Sequence, residues 1–364
     1  MRTHSRTAFT ASIALAGLLS AQGSDPHQTV TVGTASAARG QRAYGAINVP
    51  MGSDSGTIIQ VAVINGAKPG PVVAFVSGAH GTEYTSIVAL TRIIDRIDPK
   101  TLTGTVIVVP LVNVASFEQM VPHINPVDRK GMNGGYPGDP GGTQSLRAVA
   151  LIAEQVVKQA DVVVDLHGGD LDEDLRPYSY WMRSGNLRKD ADSRALALAF
   201  GLNMVIVRDI DMSNPANARS LSGYAISLGK TTLVAEAGHS GIVNKPETDA
   251  LVNGSLGVLK ALKMVVGPTT PAPRVTWVGA DQRVRADSGG MFYATATRGI
   301  RVEKGAKIGW ITDYVGRKVG DVLAPQTGVV TFIRGVPSLS KGATLVTVAQ
   351  VYGATPPPYV KPSP

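Results

Sequence analysis

The chain has 364 residues, 43% hydrophobic and only 17% charged, which suits a large core and two domains and excludes a disordered or fibrous protein. It contains no cysteine, so disulfides, iron–sulfur clusters and thiol nucleophiles are excluded and any metal must rest on His, Asp or Glu. The net charge of +8 comes from scattered basic residues, and a nucleic-acid partner is not expected.

At the N-terminus, Arg2 and Arg6 precede an apolar run from Ala8 to Leu19, followed by Ser20-Ala21-Gln22-Gly23. This pattern predicts a signal peptide over residues 1–23 and a mature chain beginning near Gln22–Asp25. The run is too short to cross a bilayer comfortably, so stable membrane insertion is not expected. Export without cysteine fits a bacterial periplasmic or secreted protein. Residues 24–44 then form an N-terminal extension.

From 45 to 266, short β-branched runs alternate with amphipathic stretches. Val72–Val76, Val106–Val112, Val162–Leu166, Met204–Val207 and Thr231–Ala235 read as buried strands. Ile87, Leu90, Ile94 and Ile97 recur at helical spacing, as do Leu146, Val149, Ala153 and Val156, and a further helix is expected from Glu247 to Val265. The alternation argues an α/β sheet covered on both faces, with ligands gathering beyond the strands' carboxyl ends. A Pro-rich linker spans 267–274, and residues 275–352 carry Gly-bounded short runs that predict a small all-β domain. The tail, 353–364, has five prolines from Thr355 onward and reads as disordered.

Of the six histidines, His4 falls in the predicted signal and His27 in the N-terminal extension. His80, His123, His167 and His239 instead follow predicted strands or sit in Gly- or Pro-containing loops. Gly78-Ala-His80-Gly-Thr-Glu83 follows a strand and opens a helix, so imidazole and carboxylate can face one ion; a plain helix-capping Glu is the blander alternative. Asp165-Leu-His167-Gly-Gly ends another strand, where His167 is either a satisfied core residue or exposed at a crevice with Asp165 as its neighbour. Two histidines and one carboxylate with an open fourth position make a catalytic zinc set. Glu236 ends a third apolar strand, a costly place for a carboxylate without a purpose or a partner. It reads as the proton shuttle for a zinc-activated water or as half of a salt bridge, with His239 as the spare acid–base group.

These segments, in this order, resemble the succinylglutamate desuccinylase/aspartoacylase family, relatives of the zinc carboxypeptidases. The stretch Asn125-Pro-Val-Asp128-Arg-Lys130-Gly-Met-Asn133-Gly-Gly-Tyr-Pro137-Gly138-Asp-Pro140 is similar to that family's substrate-binding loop, and the likeness spans roughly residues 72–241. It implies one zinc ion per chain on His80, Glu83 and His167, with Glu236 as the catalytic carboxylate. It also implies a three-layer α/β/α carboxypeptidase-like domain over 45–266, with a small barrel-sandwich-like β domain over 275–352 packed near the site. The chain departs from the family where Asn133-Gly134 replaces Asn-Arg, the arginine that helps bind a substrate carboxylate. No second, oxyanion-stabilising arginine lies between Phe117 and Asp128. Asn133, Lys130, Arg129 and His123 are the nearest candidates for binding substrate. The β domain is also similar to biotinyl/lipoyl-type folds, but Lys318 lacks the flanking Met-Lys-Met signature and reads as a surface residue.

The leading reading is an exported zinc amidohydrolase acting on a small polar acylated amino-acid-like substrate. The alternatives are a zinc carboxypeptidase-like peptidase acting on cell-wall or other peptides and a non-catalytic metal- or ligand-binding relative. The sequence leaves open whether the chain forms homo-oligomers.

Overall fold

A computed structural model describes residues 27–272, 274–353 and 355–362; the expected signal peptide lies outside the described residues. In chain order, strands β1 (Thr29–Val32), β2 (Ala35–Ala38), β3 (Gln41–Val49), β4 (Thr57–Asn65) and β5 (Lys68–Ser77) lead into helix α1 (Tyr84–Ile94) and strand β6 (Thr103–Val109). Helices α2 (Val114–Gln119) and α3 (Gln144–Ile152) follow. Next come β7 (Val162–His167), β8 (Glu173–Arg183), α4 (Leu187–Phe200), β9 (Met204–Asp209), α5 (Leu221–Ser227), β10 (Thr231–His239) and α6 (Lys245–Ala261). Beyond α6 the regular elements among the described residues are all strands: β11 (Thr276–Arg285), β12 (Gly290–Ala294), β13 (Arg301–Val302), β14 (Lys307–Thr312), β15 (Lys318–Leu323), β16 (Gly328–Arg334), β17 (Ser338–Leu339) and β18 (Thr344–Val351).

Twelve strands form one sheet in the order β13-β16-β18-β11-β9-β8-β10-β7-β5-β6-β4-β3. At its centre β6, β5, β7 and β10 run parallel, which explains their unbroken apolar sequences: both faces are buried. Side-chain alternation sends Val73, Phe75 and Val164 into a core with Leu90 of α1, Phe200 of α4 and Leu251 of α6. Val72, Ala74, Val76 and Val163 enter a second core with Val149 of α3 and Ala225 of α5.

The sheet does not stop at β10. β9 pairs with β11 and β8 pairs with β16, so β8, β9, β11, β18 and β16 close into a five-stranded ring. Strands from beyond residue 275 therefore share hydrogen bonds with strands of the preceding segment. β12, β14, β15 and β17 make a separate four-stranded sheet. There Lys318 is an exposed residue paired with Asp321.

Three local features differ from the expectations. Helix α1 ends at Ile94, short of Ile97, which is buried from the following turn just before Asp98-Pro99. β8 was not anticipated because Pro177 stands inside it. Glu236 faces Tyr178 and Gly238 faces Leu175, so Arg176 and Pro177 together oppose Ala237. This is a bulge, where the missing proline N–H interrupts no ladder. The described part of the tail is docked at residues 357–360: Arg183 donates to the Pro357 and Pro358 carbonyls, and the Val360 N–H donates to Asp209.

Candidate active site

One sheet face gathers the chemistry. In the register of β7, β10 and β8, Glu236 lies opposite His167 on one side and Tyr178 on the other, while Val234 lies between Asp165 and Tyr180. Because side chains alternate, Asp165, His167, Glu236 and Tyr178 share this face. His80 and Glu83 reach it from the turn between β5 and α1. The close approach of the connecting loops requires glycine after His167: a Cβ on Gly169 would sit 2.5 Å from the Glu173 and Gly238 carbonyl oxygens.

Glu83 stands at the N-cap of α1 but makes no side-chain capping bond. Its two oxygens go instead to two histidines, 2.6 Å from His80 Nδ1 and 2.9 Å from His167 Nδ1. Each of His80, Glu83 and His167 offers one potential ligand atom, and these atoms all lie within 4.8 Å of one another. Burial opposes ionisation of Glu83, but the neighbouring His167 and His80 hold its carboxyl down at about 2. Two imidazoles and one ionised, buried carboxylate converging on one point are a donor set that fits a divalent ion of the zinc type. Asp165 lies 3.2 Å from the other nitrogen of His167, where a carboxylate orients a ligating ring.

Glu236 accepts from the Tyr178 hydroxyl at 3.1 Å. Burial pushes its carboxyl up to about 7, against the pull of His167 and of the Tyr178 hydrogen bond, with Glu83 adding to the rise. Burial also raises Tyr178 well above the usual phenol range, so it stays a donor. Tyr178 was missed in the sequence because its strand was missed; the alternation Tyr178-Ser-Tyr180 was the available signal. These groups line a cavity of about 350 Å³.

The expected substrate-binding residues divide. Asn133 lines the cavity, with its amide nitrogen 3.5 Å from His167 Nε2 and its carbonyl oxygen buried without a partner among the described residues. Arg129 and Lys130 are exposed and do not line it. His123 is tied to Asp170 and Asp172, each at 3.1 Å, and the hydrogen bond to Asp172 pushes it up to about 9. His239 turns away to Glu247, 3.1 Å distant. At Gly134, a Cβ would meet nothing within 4 Å, and Arg219 donates from Nε to the Gly134 carbonyl at 2.7 Å. A guanidinium thus reaches the altered loop from a distant part of the chain.

The profile of the Succinylglutamate desuccinylase/Aspartoacylase catalytic domain matches residues 69–262. A curated relative, the N-alpha-acetyl-L-2,4-diaminobutyric acid deacetylase of Halomonas elongata, is 26% identical over 324 residues, covering 85% of this chain and 91% of the relative. A succinylglutamate desuccinylase/aspartoacylase structure from Rhodobacter sphaeroides superposes with a TM-score of 0.76 at 25% identity, over 86% of this chain and 96% of that one. The product-bound ectoine utilization protein EutE (DoeB) from Ruegeria pomeroyi superposes at 0.77 with 21% identity, over 85% and 95%. With its α/β fold, its His–Glu–His cluster and a profile match over more than half its length, the chain belongs to the succinylglutamate desuccinylase/aspartoacylase family, a family of amide-bond deacylases.

Proposed function

We propose that the protein is an exported, zinc-dependent amidohydrolase that removes the acyl group from a small, polar N-acylated amino acid. The observation that carries this reading is the Glu83 carboxylate shared between two histidines, with Glu236 beside them on the next strand. When bound, zinc supplies Lewis acidity and a water acidified to a pKa of about 7. His80, Glu83 and His167 would hold the ion, and Asp165 would fix the His167 ring. Glu236 takes a proton from the water as its oxygen joins the amide carbonyl carbon. It then passes that proton to the nitrogen as the C–N bond breaks, and the second proton of the water follows to the leaving amine, giving a carboxylate and an ammonium. The Tyr178 hydroxyl favours the ionised form of Glu236, the state that accepts the proton and is restored once the proton has been passed on.

The Halomonas relative is named for a substrate with a second amino group, and Asp165 and Glu173 line the cavity here. That acidic wall favours a leaving amino acid that carries an ammonium. Asn133, with its carbonyl oxygen unpaired among the described residues, is the candidate to accept a substrate N–H, while Arg219, exposed and outside the cavity lining, supports the loop beside it through the Gly134 carbonyl. We read residues 45–266 as the three-layer α/β/α catalytic unit and 275–352 as a barrel-sandwich-like β unit joined to it through the shared sheet.

The zinc-loaded protein should hydrolyse members of a panel of N-acetyl and N-succinyl amino acids, including acetylated diamino acids, when amine release is followed. Full zinc loading with no turnover across the panel would favour a non-catalytic relative. Export has its own check. Intact-mass measurement on protein from its native host should give a chain starting near Gln22–Asp25, whereas a cytoplasmic species that retains Met1 would end the export proposal.

A further inference from the structure

The cavity does not end at the catalytic cluster. It runs along the sheet face into the mouth of the five-stranded ring, where Arg208 of β9 and Asp281 and Arg283 of β11 line it. Its two ends differ in charge. Glu83, Asp165, Glu173 and Glu236 line the first together with His80 and His167, whereas two guanidiniums and one carboxylate line the second. The strand register fixes their separation: Glu236 is opposite Tyr178, and Arg208 is opposite Met182. That is two strand spacings and four residues of offset, roughly 16 Å between Cα atoms along the sheet.

The distal charges are loosely paired. Arg208 Nη2 lies 4.0 Å and Arg283 Nε 3.5 Å from the two oxygens of Asp281, with both arginine side chains about half exposed, at 48% and 51%. Arg208 also lies over the Tyr180 ring, 5.4 Å from its centroid. Pairs this exposed contribute little to stability, so an incoming anion can displace Asp281 at small cost. The threonines Thr344 and Thr347 beside them add hydroxyls to the same wall.

We infer that Arg208 and Arg283 form a second recognition site that takes a substrate carboxylate remote from the scissile amide, with Asp281 holding its place until substrate arrives. A carboxylate adjoining the amide sits too close to the catalytic cluster to reach them. One at the end of a leaving amine several carbons long spans the cavity. This inference rests on the hydrolase reading and specifies its substrate class: N-acyl amines whose leaving portion ends in a distant carboxylate.

The test compares N-acetyl-6-aminohexanoate with its primary amide on the zinc-loaded full chain. The acid is expected to be preferred about 10–100-fold in kcat/KM, and Arg208→Gln or Arg283→Gln should each remove about tenfold of that preference, mainly through KM. Asp281→Asn frees both guanidiniums and should increase the preference, which a purely structural ion cluster would not do. Titration calorimetry with 6-aminohexanoate and its amide, on the wild type and the arginine variants, should give the same order without turnover. Acid-to-amide ratios that are unchanged in both arginine variants, by both measurements, would overturn the inference. Selective binding of 6-aminohexanoate without hydrolysis of any acetyl amide would instead keep this site and overturn the hydrolase reading.

Discussion

Replacing Glu236 with Gln is expected to leave zinc content and melting temperature close to wild type and to lower turnover by about 10²–10⁴-fold, the usual size of a lost proton-transfer contribution. Gln is nearly isosteric and can still accept from the Tyr178 hydroxyl, so the hydrogen bond seen at 3.1 Å need not be lost. What disappears is a group that can bind and release a proton. The pH profile sharpens the test. A general base works when ionised, so kcat/KM should rise with pH through the Glu236 pKa, which burial pushes up to about 7 in the chain alone and a bound cation would draw down. The Tyr178 hydrogen bond favours the ionised form. Tyr178→Phe should therefore move this limb to higher pH while Glu236→Gln abolishes it. A zinc-loaded Glu236→Gln enzyme with undiminished turnover would mean that another group carries the proton.

Much of this site was legible because it is written at strand ends. His80, His167 and Glu236 each follow an apolar, β-branched run, and parallel strands bring their carboxyl ends together without any further specification. The capping alternative for Glu83 could not be dismissed from spacing alone; only the absence of a side-chain cap bond and the two short contacts to histidine decide it. His123 and His239 share the loop or strand-end setting of His80 and His167 in sequence, and read there as a substrate-binding candidate and a spare acid–base group. Each is taken up by acidic residues, Asp170 and Asp172 for His123 and Glu247 for His239, and none of these pairings is local enough to be read from a motif. The antiparallel strand β8 was hidden by Pro177, and with it the ring that it closes. Tyr178, Arg208 and Arg283 come into view only when that ring is known, because long-range pairing of β16 with β8 and β11 with β9 builds the outer half of the cavity.

His167→Ala is expected to abolish stoichiometric zinc and reduce turnover to background, because it removes one of three converging donor groups and would leave a set too small to hold an ion. The fold should survive with a modest loss. His167 is buried at the end of β7 and touches both Glu83 and Asp165, so its removal leaves two buried carboxylates short of a partner, at a cost of about 1–3 kcal/mol each. That predicts a melting temperature several degrees lower with native secondary structure retained. His239→Ala provides the contrast. It also removes a strand-end histidine paired with a carboxylate, but one that does not line the cavity, so zinc should remain stoichiometric. Metal analysis of both variants by mass spectrometry, alongside circular dichroism, separates loss of a ligand from loss of a fold. A folded His167→Ala protein that still binds one zinc ion tightly would place the metal elsewhere. In that event His80 and Glu83 would need a different third ligand, and the His123–Asp170 neighbourhood, whose donor atoms also converge with His80, is where the search would turn.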